Sequence, residues 1–434
     1  MKNFLRDIKG NIWLKISGFN SFSVLSRVVS SWIINKIIAL YIGPEGTSFT
    51  EQFKNFIQGL QGFAVLGIQE GVTKFTAQYQ EDKKQFSNFA RFSFKMVLGA
   101  SVLLGLFIAL YSNKINDYLF PDADFSRLIF WSGIFLPLLA LNLIILAILK
   151  GLQDYKTIVN LNVFTNFVSI LLAFWLITRY HITGALALIL LTQLIQFILS
   201  LYLLFRKFGF SKFLITKDGN YNFLKKLTPY IIMALVSALI IPLFSILIRN
   251  HIFHFFGDEG PVRAGYWDAT RKTTNLFLSI ISPVFAMYYY PQMAKVEDSE
   301  GLKKEIKKFF SQMFPLFTMG MILLYLFRRP LIKILFTTDY LPMESLFLWQ
   351  LLGDYLKILS FLLAYLMLAK AHLVRYLFSE LGFWIIYYLL TLVLMKQFAL
   401  KGVVIAYFIS YTLYILFLVI NYQKYFKEKN IPIK

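Results

Sequence analysis

A chain of 434 residues that is 58% hydrophobic and 18% aromatic, with mean hydropathy +0.62, cannot hide its apolar surface in a water-soluble core. Its 44 Lys and Arg against 23 Asp and Glu leave a net charge of +21, which favours anionic lipid or an anionic ligand. Nucleic acid is excluded as a partner because the cations sit in short loops and at helix ends and not on a soluble domain, and the absence of cysteine excludes disulfides, thiolate nucleophiles and thiolate metal sites.

The basic N-terminus, MKNFLRDIKGNIW, leads into an apolar stretch broken only by Arg27 and Lys36. It is too long and too polar for a cleavable signal, so it is expected to stay as the first membrane helix. The hydropathy pattern predicts an all-α membrane protein of about twelve transmembrane helices, near residues 13–42, 47–78, 90–112, 123–149, 157–178, 183–205, 223–249, 264–291, 307–327, 343–369, 374–395 and 402–423. Breakers mark the joints: Gly43, Pro44 and Gly46, then Pro121, Gly184 and Pro342. A polar link, residues 207–222, separates an N-terminal six-helix lobe (1–206) from a C-terminal one (223–434).

Counted with the adjoining helix ends, the termini and even-numbered loops carry roughly 28 Lys and Arg and the odd-numbered loops roughly 10, which predicts cytoplasmic N- and C-termini. Shifting the sequence by about half its length lays the second helix over the eighth. Gly43 and Pro44 then meet Gly260 and Pro261, Glu51 meets Asp268, Lys54 meets Arg271, and Gln58 meets Asn275. Six helices per copy make this a parallel repeat, with the lobes related about the membrane normal.

Polar side chains recur at spacings of three and four on four of these helices. The second carries Glu51, Lys54, Gln58, Gln61 and Gln69; the eighth carries Asp268, Arg271, Lys272 and Asn275; the first carries Arg27 among serines and asparagines; the tenth carries Gln350, Asp354 and Lys357. A cation at the bilayer centre costs about 2.5–3.5 kcal/mol on insertion scales, so these groups are expected to line a shared aqueous cavity. Two readings stay open for Glu51 with Lys54, Asp268 with Arg271 or Lys272, and Asp354 with Lys357: a partner one turn away neutralises each charge, or each contacts a ligand. Arg27 has no carboxylate within a turn and is expected to be a cavity cation. Lys36 lies close enough to Gly43 to snorkel to the outer interface. Trp267 reads as an interfacial anchor, and His181, His251, His254 and His372 as solvated loop residues with no metal site among them. Without a Gly-rich loop ending in Gly-Lys-Ser/Thr, ATP-driven pumping is not expected, and no cofactor is implied.

Four segments carry a family resemblance: NKIIALYIGPEG at 35–46, GVTKFTAQYQED at 71–82, the Tyr290, Pro291 end of the eighth helix, and FLWQLLGDYLKILSFLLAYLMLAKA at 347–371. With them the chain resembles the Wzx-type polysaccharide flippases, the O-antigen and enterobacterial common antigen translocases of the multidrug/oligosaccharidyl-lipid/polysaccharide exporter superfamily. The resemblance implies a non-enzymatic, multi-pass carrier of the bacterial inner membrane that moves a polyprenyl pyrophosphate-linked oligosaccharide from cytoplasmic to periplasmic leaflet by alternating access. It implies a proton or sodium gradient as energy source, and membrane lipid and other polysaccharide assembly proteins as further partners. The basic cavity positions it points to are Arg27, Lys36 and Lys54; with Gln58, Gln61, Arg271, Lys272, Asn275 and Lys357 they form the expected substrate cavity. Glu51, Asp268 and Asp354 are the expected ion-coupling carboxylates. A drug/cation antiporter of the same superfamily is the alternative, opposed by the excess of intramembrane cations. A membrane glycan polymerase or ligase is a second, opposed by the lack of a large periplasmic loop.

Overall fold

The computed structural model describes residues 12–208, 222–284, 299–369 and 373–427, and no strand occurs among them. In chain order the helices are α1 (Ile12–Tyr41), α2 (Gly43–Ala64), α3 (Gln69–Tyr79), α4 (Lys83–Leu110), α5 (Ser112–Leu119), α6 (Ser126–Gly151), α7 (Tyr155–Phe208) and α8 (Asn222–Phe256). After a 3-10 turn at Gly257–Glu259 come α9 (Gly260–Val284), α10 (Ser299–Leu326) and α11 (Arg328–Leu335). A second 3-10 stretch, Thr338–Leu346, leads to α12 (Phe347–Ala369), α13 (Leu373–Phe398) and α14 (Lys401–Lys427). Most of the interlobe link, the extreme termini, Lys370, His372, and Tyr290 with Pro291 lie outside the described residues.

Among the described residues nine segments are long and apolar enough to cross a membrane. Their outward faces are apolar at helical spacing: Leu103, Leu106, Phe107 and Leu110 on α4, Phe164, Phe167, Leu171 and Phe174 on α7, and Leu413, Leu416, Phe417 and Ile420 on α14 are all exposed. In water such stripes would aggregate; in hydrocarbon they are the solvated face. Lipid also dictates the all-helical backbone, since an unsatisfied peptide group there costs several kcal/mol. The chain is an all-α membrane protein.

Two of the nine segments contain a reversal. Within α7, His181 has φ 48° and ψ −125°, and a Cβ on Gly184 would lie 2.1 Å from the Leu176 carbonyl oxygen, so the helix doubles back into two arms. At Gly257 (φ 55°) a Cβ on Gly260 would lie 2.6 Å from the Phe253 oxygen. The joint between α13 and α14 repeats the pattern, with Ala399 at φ 47° and Gly402 2.4 Å, by its missing Cβ, from the Leu394 oxygen. Gly43 (φ 79°), at the start of α2, likewise has a glycine, Gly46, three positions on. A left-handed residue with glycine three positions on therefore marks two joints in each half of the chain. The short helices α5 and α11 likewise recur half a chain apart, each followed by a buried Phe, Phe120 and Phe336. The internal repeat is carried by the joints.

The second predicted helix is not continuous. Leu66 (φ 50°) and Gly67 (φ 63°) break it into α2 and α3, which takes Gln69 off the α2 stripe. The seventh runs on to Phe256, which moves Arg249 from the helix end to the interior. By its contacts the chain divides into two compact units, one of Met1–Ile42 with Phe49–Leu243 and one of Gly43–Ser48 with Phe244–Lys434. These boundaries and the lobes drawn from the sequence cut the chain at different places. Within the first unit, Asp154 opens α7 by accepting from the Thr157 N–H at 3.3 Å and takes the Lys207 ammonium at 2.7 Å, tying the far ends of the two arms together. Burial pushes the Asp154 carboxyl up, but the bonds from Lys207 and Thr157 outweigh it and hold it below the usual carboxylate range.

Candidate functional site

In the first unit Arg27 projects from the middle of α1 as an exposed side chain, and among the described residues no carboxylate or hydrogen-bond acceptor takes it. Lys36, two and a half turns on, is half-buried. Glu51 and Lys54 pair across one turn of α2 at 3.3 Å, with the ammonium 48% exposed, so water screens that pair. Gln58 is exposed beside them, whereas Gln61 is buried and donates to the Gln193 side chain of α7. The single α2 stripe read from spacing thus splits: Lys54 and Gln58 are open, and Gln61 fastens helix to helix.

A run of neutral side chains joins α1, α6 and both arms of α7. Ser200 donates to Asn142 at 2.8 Å, Asn142 to Gln196 at 3.2 Å, Gln196 to Asn162 at 3.2 Å, and Asn162 to Ser23 at 3.4 Å. Asn166 donates to Ser26, the neighbour of Arg27, at 3.1 Å. In hydrocarbon such bonds contribute about 0.6–2 kcal/mol each and fix helix register. This ladder holds the segment of α1 from which Arg27 projects. Ser23 belongs to the polar stripe of the first helix, but the amides escaped the sequence reading; the signal available was Asn162 with Asn166 and Gln193 with Gln196, at spacings of four and three on otherwise apolar arms.

The second unit gathers charge more tightly. Arg249 of α8 is fully enclosed and grips Asp268 of α9 with two parallel bonds, Nε to Oδ2 and Nη2 to Oδ1, each 2.8 Å. Arg271 adds a third contact at 3.8 Å and lies over the Trp267 ring, 4.6 Å from its centre, with Arg249 5.6 Å from the same ring. Trp267 is 1% exposed, so it is no interfacial anchor. Sequence spacing offered Arg271 or Lys272 as the partner of Asp268; the principal partner is Arg249, on another helix. Lys272 is half-buried and Asn275 exposed, one and two turns along α9.

On α12 the expected pairing of Asp354 with Lys357 is not formed. Asp354 is 1% exposed and forms no ion pair among the described residues; its Oδ2 accepts from the Gln350 amide at 3.0 Å and its Oδ1 from the Tyr407 hydroxyl at 2.8 Å. His251 also departs from expectation: its Nε2 is sealed inside the protein without a hydrogen-bond partner, while His254 is exposed. Among the described residues no group of three His, Asp or Glu could hold a metal ion.

The family profile described as "Polysaccharide biosynthesis protein" matches residues 19–297, well over half of the chain and including α1, α2, Arg249 and Asp268. This chain belongs to that family. It is 25% identical over 369 residues to the Lipid III flippase of Escherichia coli (strain K12), covering 85% of this chain and 88% of that one, and equally to the Lipid III flippase of Shigella flexneri. Among solved structures it shares its fold with an inward-facing multidrug resistance MATE family transporter of the MOP superfamily (TM-score 0.74, 15% identity, 92% of this chain and 95% of that one). It shares it too with the Lipid II flippase MurJ in an inward closed conformation (TM-score 0.69, 15% identity, 94% and 87%). This polysaccharide biosynthesis protein is a multi-pass protein of the bacterial inner membrane, and with flippases and transporters as its relatives it is not an enzyme.

Proposed function

We propose that this chain is a flippase that carries a polyprenyl pyrophosphate-linked oligosaccharide of the O-antigen type from the cytoplasmic to the periplasmic leaflet for surface polysaccharide assembly. The observation that carries the reading is the similarity to Lipid III flippases along 85% of the chain. The chemistry of the charged groups supports it. Pyrophosphate needs fixed cations, and a hydrophilic glycan needs a wet path. Arg27 is an exposed guanidinium on a membrane helix without a carboxylate among the described residues, which suits it to a diphosphate. Lys54 and Gln58 on α2, Lys36 on α1, and Arg271, Lys272, Asn275 and Lys357 in the second unit are the further substrate contacts in this reading, and Gln61 supports them by fixing α2 to α7. Twelve transmembrane passes in two six-helix lobes, cytoplasmic termini, and alternating access driven by a proton or sodium gradient complete it.

A cation antiporter would need carboxylates free to bind a cation, and Glu51 and Asp268 are paired with Lys54 and Arg249, which leaves Asp354 as the one of the three without an ion pair among the described residues. The test is reconstitution in liposomes with a fluorescent polyprenyl pyrophosphate oligosaccharide, measuring leaflet exchange with and without an imposed gradient. Gradient-dependent exchange that falls at least tenfold in Arg27→Ala, with insertion unchanged, is the expected result. Exchange that survives Arg27→Ala removes the cation assignment. Efflux of an organic cation with no lipid movement turns the protein into an antiporter.

A further inference from the structure

We infer that Asp354 is the proton-exchanging carboxylate of this carrier, positioned by Gln350 and Tyr407, and that Asp268 is a fixed structural charge. The inference rests on the gradient-driven reading above, which names a driving gradient and three carboxylates without choosing among them.

A coupling carboxylate must take up and release a proton at a cost small against the gradient that drives it. Asp268 cannot. Both of its oxygens are held at 2.8 Å by the fully enclosed Arg249, and protonation would leave that guanidinium buried without a counter-charge. Glu51 is unsuited for another reason. The Lys54 ammonium opposes its protonation, and that ammonium stands 48% exposed, so the pair stays in contact with water instead of being handed from one side to the other.

Asp354 meets both requirements. It is 1% exposed, and its two bonds come from neutral donors, an amide and a phenol. When a proton from water adds to one carboxylate oxygen, no ion pair within 4 Å is broken, and the phenol of Tyr407 can turn from donor to acceptor because a hydroxyl serves as either. The reverse step returns the proton to water, and no other bond forms or breaks.

The surrounding backbone is built for this contact. A Cβ on Gly353 would lie 2.4 Å from Tyr407 Cδ1, so the bare glycine lets the ring lie against α12 and brings its hydroxyl onto the next residue. Tyr387 and Tyr411 pack 5.5 and 4.9 Å from the Tyr407 ring and wall the carboxyl off. The glycine and the aspartate stand side by side in the FLWQLLGDYLK stretch of the sequence.

Charged and titratable groups stand near Asp354 on its own helix and on the elements around it. Lys357 is on α12 itself, Arg271 and Asp268 are on α9, Glu380 and Tyr387 on α13, and Tyr407 and Tyr411 on α14. From α10, Thr318 bonds Tyr355 at 3.0 Å. In the stretch before α12, Glu344 is taken by Arg328 and Arg329, and Tyr340 by Thr47 at 2.7 Å. None of these ion-pairs with Asp354 among the described residues.

Infrared difference spectroscopy of the full-length protein in liposomes, between acid and alkaline buffers, tests the inference without any lipid substrate. One carboxylic-acid carbonyl band at the high frequency of a water-shielded acid is expected on acidification. It persists in Asp268→Asn and Glu51→Gln, disappears in Asp354→Asn, and returns in Asp354→Glu. Tyr407→Phe keeps the band but moves its frequency and the pH at which it appears, a readout that a purely structural hydroxyl would leave alone. It also keeps the test valid if Asp354→Asn does not fold. A band retained in Asp354→Asn, lost in Asp268→Asn, unmoved in Tyr407→Phe, or absent from the wild type overturns the inference. Failure of the flippase reading is separate and shows as a wild type that moves no lipid at any pH.

Discussion

At Asp268 the protein commits a full charge to its interior and answers it with the guanidinium of Arg249, closed off from solvent on both sides. Such a pair adds little net stability over well-packed apolar residues, but removing one partner strands the other, at about 3–5 kcal/mol. Asp268→Leu and Arg249→Leu are each expected to lower the unfolding temperature of the purified protein sharply, and the double variant to recover most of the loss. Equal loss in all three would show that packing around Trp267, and not the stranded charge, sets the cost. At this scale the sequence was half legible. Glu51 with Lys54 could be read from spacing because both lie on one helix and pair across one turn. Arg249 with Asp268 could not, because the two stand on different helices and the run after Arg249, Asn-His-Ile-Phe-His-Phe-Phe, reads as a helix end although the helix continues through it. Asp354 turned to Tyr407 for the same reason: a donor from α14 leaves no trace in the i+3 pattern of α12.

Helices were the legible elements, since a long apolar run in lipid has no other way to satisfy its backbone, and their joints show why some glycines matter and others do not. Gly184 and Gly402 lie where a Cβ would enter the backbone of the preceding helix, 2.1 and 2.4 Å from a carbonyl oxygen, with no flexible side chain to move aside. Gly99, inside α4, has nothing within 4 Å of a Cβ. Gly184→Ala and Gly402→Ala should each destabilise the protein and cut the amount recovered folded, whereas Gly99→Ala should leave the unfolding temperature unchanged or raise it, since alanine favours a helix by up to about 1 kcal/mol over glycine. Equal tolerance at all three positions, read by thermal unfolding in detergent, would mean the doubled-back joints are looser than the geometry requires. The sequence marked Gly43, Gly46 and Gly184 as breakers without revealing the rule they share, because the left-handed residue three positions earlier is a glycine in two joints but a histidine and an alanine in the others.

Across the whole molecule the charge asymmetry of the loops sets an orientation that the fold by itself leaves undetermined, because a bundle of apolar helices can be drawn either way up. The inner-loop expectation covers the joint at Glu81 and Asp82 and the joint at Gln153 and Asp154; the outer covers Asp122 before α6 and Asp258 before α9. Glu81, Gln153, Asp122 and Asp258 are all exposed. The natural chain has no cysteine, so single cysteines at these four positions report without background. In intact cells a membrane-impermeant maleimide should label Asp122→Cys and Asp258→Cys within minutes and leave Glu81→Cys and Gln153→Cys unlabelled until the membrane is opened. The reverse pattern would invert the protein in the membrane. In a mixed pattern, Asp122 and Asp258 would lie on opposite sides, which would mean an odd number of crossings between them and would break the parallel repeat. In a chain of twelve passes, agreement would also place both termini in the cytoplasm, since two passes then separate each terminus from the nearest inner loop.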